Sequence, residues 1–96
     1  MTTEPTQRRL ADRFEEALAA ADRGLADRPG VVALIRLRSV ALGCLGRAEE
    51  AREAIAEALR ISPGFRVAGL RSFLPAAIVD RYLEGWRRAG WEETAT

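Results

Sequence analysis

The chain has 96 residues, 48% hydrophobic and 30% charged, which suits one small domain with a modest core and not two. Ala, Leu, Glu and Arg fill more than half the positions and β-branched residues are few, so an all-α fold is expected and a small sheet protein is excluded. Fifteen basic residues, all arginine, stand against fourteen acidic ones, and a net charge of +1 argues against an electrostatic footprint for nucleic acid or membrane.

Five helices are expected in chain order. In the first, over residues 5–28, Leu10, Phe14, Ala17, Leu18, Ala21 and Leu25 recur at three- and four-residue steps and make one apolar stripe. Pro5 suits its first turn and Pro29 stops it. The second spans residues 31–45, with Gly46 as its C-terminal breaker. The third, over 48–61, sets Ala51, Ala54, Ile55, Ala58 and Leu59 on one side. Its Glu49–Glu53 and Glu53–Glu57 pairs are like charges four apart, so packing must hold it. A fourth helix is expected over 65–73. Pro75 then opens a fifth over 76–89, with Ile78, Val79, Tyr82, Leu83 and Trp86 facing inward. Gly90 stands where a left-handed C-terminal cap is wanted, which folds Trp91 back onto Trp86. Gly43, Gly69 and Gly85 lie within helices at roughly 1 kcal/mol each relative to alanine. Close helix approach compensates for that, or, at Gly43, the opening of a groove.

The chain repeats itself. Residues 13–30 and 47–64, offset by 34, agree at eight of eighteen positions, ending on Pro29-Gly30 and Pro63-Gly64. Gly46-Arg47, Glu50-Ala51, Ile55, Ala58-Leu59 and Pro63 resemble the second half of a tetratricopeptide repeat, a helix–turn–helix unit of 34 residues. Glu16-Ala17, Ala21, Gly24-Leu25 and Pro29 are similar to the same half of a preceding repeat. In the first half of the unit, Ile35, Ser39 and Leu42 fit the pattern. Arg38 stands where the family has leucine; either Leu37 takes over or Arg38 snorkels its head to solvent.

The tail, from Pro63-Gly64-Phe65 through Leu74-Pro75 to Leu83-Glu84-Gly85-Trp86, resembles an ending of tetratricopeptide regions in some bacterial nucleotide cyclase-like signalling proteins and winged-helix activators. The resemblance implies a TPR-like α-α superhelix of about two and a half repeats plus a capping helix, filling residues 1–96 as one domain. It also implies an adaptor role, as the regulatory tail of a larger bacterial signalling protein or as a short chain.

In such repeats the first helix of each pair lines the concave surface. Ala33, Arg36, Leu37, Val40, Gly43 and Cys44 share one face of the second helix, and Leu70 and Arg71 continue it on the fourth. The candidate partner site is therefore Arg36, Leu37, Val40, Gly43, Leu70 and Arg71: an apolar floor with two guanidinium groups suited to an acidic peptide or a chain terminus. The plainer alternative is that Arg36 and Arg71 are solvated helix-face charges. The peptide-clamp subtype of the family has asparagine where Val40 stands, so that recognition mode is not implied.

Catalysis is not expected. Histidine is absent, no phosphate-cradling glycine loop or metal-ligand cluster appears, and Glu15-Glu16, Glu49-Glu50 and Glu92-Glu93 are adjacent pairs that cannot face one site from a helix. No cofactor or metal is called for. Cys44 cannot form an intrachain disulfide and reads as a small buried apolar side chain. No apolar run approaches the ~20 residues of a membrane span and no secretory signal is visible, so a cytoplasmic location is expected. The function read from the sequence is a non-catalytic protein–protein interaction module. A small DNA-binding or transcription-regulatory domain, with Arg36, Leu37 and Arg38 facing a groove, is the alternative; the near-zero net charge counts against nucleic acid. The first helix lacks one repeat neighbour, and a second copy of the chain or an upstream domain is expected to cover that flank.

Overall fold

α1, Pro5–Asp27, is the longest helix, and its stripe meets the rest of the chain through Leu18 and Ala21, both buried. The computed structural model describes residues 5–91, with side chains from residue 9 onward. α2 is Val32–Cys44, α3 is Ala48–Ile61 and α4 is Ala76–Arg88, with a 3₁₀ segment, Val67–Ser72, between the last two. Every element among the described residues is helical, as the composition requires.

α2 is the hub. It packs on α1, on α3 and on α4, while α4 also meets the 3₁₀ segment and α3. Ile35 and the run Ser39, Val40, Ala41, Leu42, Gly43 are all buried. Five consecutive buried residues cannot share one helical face, so this helix is enclosed on several sides by its neighbours. α3 is amphipathic in the ordinary way, with Ala51, Ala54, Ile55 and Ala58 buried and its glutamates outside.

Two helix ends share one chemistry. After α2, Gly46 takes φ 82° and the amides of Gly46 and Arg47 donate to Gly43 O and Leu42 O. After α4, Gly90 takes φ 88° and the amides of Gly90 and Trp91 donate to Arg87 O and Trp86 O. Only glycine enters that left-handed region without strain, and the paired bonds satisfy carbonyls that a helix end otherwise leaves open. The second cap brings Trp91 edge-on to Trp86, with ring centroids 4.5 Å apart.

Trp86 closes the core. It is fully buried, Phe65 meets it edge-on at 5.9 Å, and its indole N–H donates to Ser39 Oγ at 2.8 Å. Ser39 in turn donates to Arg36 O at 2.5 Å. The small side chain of Ser39 therefore makes room for the indole and answers its polar atom.

The fourth helix is present within the expected span, shortened to Val67–Ser72 and of 3₁₀ type: Gly69 weakens an α-helix there, and three-residue bonds such as Phe73 N to Leu70 O replace the α pattern. One expectation is corrected. Ile78 does not face inward and is 45% exposed. Val79 and Trp86 define the buried line of α4, which Ala89 continues just past its end, with Tyr82 and Leu83 partly buried beside it, and Ile78 lies one residue around the helix from that line.

Candidate functional site

The six residues expected to form one groove do not lie on one open surface. Val40 and Gly43 are buried because α4 crosses α2 there. A Cβ added at Gly43 would lie 1.9 Å from Gly85 O, and one at Gly85 would lie 2.7 Å from Val40 O. The two glycines let the backbones touch, so close approach explains Gly43 and no groove opens at it.

Arg36 is half-buried, with its guanidinium 4.3 Å above the Phe65 ring. It also acts on the Tyr82 hydroxyl: burial pushes that phenol up, and the charge and hydrogen bond of Arg36 draw it back. Arg71 is exposed and reaches Asp80 at 4.0 Å. Leu37 and Leu70 are half-buried, Leu70 against the core. Each of the two arginines is thus engaged within the chain, on different partners.

Arg38 leaves the opposite side of α2, its side chain 30% exposed. Its Nε donates to Asp22 Oδ1 at 2.8 Å, and its other end stands 4.0 Å from Glu50, which Arg47 grips through two bonds of 2.9 and 2.8 Å. The Arg47 hydrogen bond holds the Glu50 carboxyl below its ordinary value. α1 and α3 do not pack directly on each other, and this chain of charges spans the cleft between them over Leu25, Ile35 and Ala54. Arg38 snorkels, as one of the two sequence readings allows.

A different groove lies between the N-terminal half of α1 and α4. Leu10, Ala11 and Phe14 form one wall, Cys44 the floor, and Arg81, Glu84 and Arg88 the rim, around about 250 Å³. Sites for small molecules usually run to roughly 300–1,000 Å³, so this one suits a single side chain better than a metabolite. Glu84 is taken up by Arg88 at 3.0 Å and Arg87 at 3.4 Å, and Arg88 also donates to Cys44 O, closing the end of α2. Arg81 lies 5.9 Å from the Phe14 ring centroid and has no carboxylate partner among the described residues.

Cys44 is half-buried, its thiol 3.9 Å from Arg81 O. Burial pushes the thiol above its ordinary value despite the opposing charges of Arg88 and Arg81. The thiol is therefore held mainly in its protonated form at neutral pH. No set of three metal-ligating side chains comes together among the described residues, and no helix is long and apolar enough to cross a membrane. Sequence reasoning missed the α1–α4 groove because its two walls, Leu10 to Phe14 and Arg81 to Arg88, are far apart in the chain. The available signal was Phe14 and Arg81, each on an amphipathic helix.

Comparison with protein-family models, with curated proteins and with solved structures finds no match to this chain.

Proposed function

We propose that the chain is a non-catalytic protein-binding adaptor of the tetratricopeptide type. The observation that carries this reading is the order of packing: α1, α2 and α3 follow one another as neighbours joined by short turns, and α4 lies across the same central helix. That is how stacked helical hairpins build a core while leaving grooves between elements. The 34-residue internal similarity supports it, since its two copies fall on the later part of α1 and on the whole of α3, each with the turn after it. The residues that would do chemistry are occupied structurally: the thiol is neutral, and the carboxylates nearest the clefts are paired with arginines.

Capture on the immobilised chain followed by titration of the recovered protein tests the reading. A saturable complex of fixed stoichiometry with a protein is expected. Retention of duplex DNA in a low-salt gel shift, falling steeply as salt rises, would overturn it in favour of a nucleic-acid module.

A further inference from the structure

The α1–α4 groove joins three properties. Its wall is apolar and aromatic, from Leu10 and Phe14. Its floor is a thiol kept neutral by burial. Its rim carries a charge that no described carboxylate pairs with: Glu84 is shared between Arg87 and Arg88, whereas Arg81 lies near Phe14 with no carboxylate of its own among the described residues. An occupant that brought another cation would face Arg81 and Arg88 together. One that brought only apolar surface would bury Arg81 without a partner, which is unfavourable. A carboxylate beside an apolar side chain satisfies both conditions, and guanidinium accepts it in two-bond geometry.

We propose that this groove takes an acidic, apolar segment of a partner protein, with one large side chain entered between Phe14 and Cys44 and a carboxylate paired with Arg81. The proposal rests on the adaptor reading and assigns it a place and a ligand chemistry. It moves the acidic partner from Arg36 and Arg71, which are engaged elsewhere, to the opposite end of α2.

The 96-residue chain itself supplies the reporter, because its single cysteine forms the groove floor. The probes are two fluorescein-labelled twelve-residue peptides of the same leucine pattern, one with glutamate and one with lysine at the polar positions. Anisotropy titration is expected to show the glutamate peptide binding at least about tenfold more tightly, about 1.4 kcal/mol. Arg81→Glu should abolish that preference. Arg60→Glu, the same charge change on exposed α3 surface, should keep it. With the glutamate peptide bound, alkylation of Cys44 by N-ethylmaleimide should slow several-fold. Circular dichroism checks that both variants keep their helices.

Equal binding of the two peptides, equal behaviour of the two variants, or unprotected Cys44 would each overturn the proposal. If a natural protein partner stays bound to the Arg81→Glu chain, the groove assignment falls and the adaptor reading stands; if the unmodified chain forms no saturable protein complex, both fall. Protection of Cys44 that grows with the concentration of the chain alone would assign the groove to a second copy and overturn the proposal as well.

Discussion

Replacing Gly43 by alanine tests the crossing of α2 and α4 most directly. In an open helix the change is favourable by roughly 0.8–1.0 kcal/mol. Here the new methyl carbon would stand 1.9 Å from Gly85 O, 2.6 Å from Gly85 C and 2.9 Å from Gly85 Cα. A carbon–oxygen contact needs about 3.3–3.6 Å, so the helices must part by about 1.5 Å. All three neighbours are backbone atoms, so no rotamer change relieves the clash. Separation on that scale forfeits much of the dispersion contact around Val40, Val79 and Trp86, since a gap of 0.5–1 Å already removes about a quarter to a half of each well. Overpacking of about 1–3 kcal/mol is ordinary, and a backbone clash belongs at or beyond its upper end. A net loss of about 2–3 kcal/mol is therefore expected, a fall in Tm of roughly 10–20 °C for a domain of this size.

Three other glycines calibrate the experiment. Gly85→Ala meets Val40 O at 2.7 Å and Val40 Cα at 3.1 Å and should lose about 1 kcal/mol. Gly24→Ala meets the tip of Leu34 at 2.6 Å, which can turn aside, so the change should be near neutral. Gly69→Ala meets nothing within 4 Å and should be neutral or slightly stabilising. Thermal and urea unfolding followed by circular dichroism gives the order. A Gly43→Ala chain as stable as the parent, or a Gly69→Ala chain as damaged as Gly43→Ala, would refute the assignment of the contact.

Ser39→Ala leaves the buried Trp86 N–H without its acceptor and should lower stability by about 1–3 kcal/mol in urea unfolding; a loss no larger than that of an exposed serine would show that the bond contributes nothing. Arg38→Leu removes an ion pair to a half-exposed aspartate but adds apolar cover over Ile35, so its stability should stay within about 1 kcal/mol of the parent, and a larger loss would mean the charges across the α1–α3 cleft matter more than exposed pairs do. The raised Cys44 thiol contributes stability that is fully present below the ordinary thiol value and is lost as pH rises through the higher folded value. Cys44→Ala should flatten the alkaline slope of urea-unfolding stability, and an unchanged slope would assign the whole of it to Tyr82, which burial also raises.

Much of the local structure is written in short stretches of the chain. The α1 and α3 stripes, the stops at Pro29 and Pro63, and the glycine caps at Gly46 and Gly90 need no distant contact to be inferred. The fold of Trp91 onto Trp86 also follows from local cap geometry. The candidate site was less legible. Helical spacing alone sets Arg36 and Arg71 as two cations beside one floor. Their actual partners are Phe65 and Tyr82 for the first, and Asp80 for the second.

The composition arithmetic and apolar periodicities by themselves determined helices, their order and most of their ends, because propensity, capping and proline geometry act within a turn or two. Distant contacts set the rest: α2 is enclosed on several sides, α4 crosses it at Gly43, and Phe14 and Arg81 share a groove. A single helix has no record of which other helix will reach it. Burial of Ser39, Val40 and Gly43 comes from Gly85 and Trp86 more than 40 residues away, where an unbranched backbone and a single indole set how closely two helices meet.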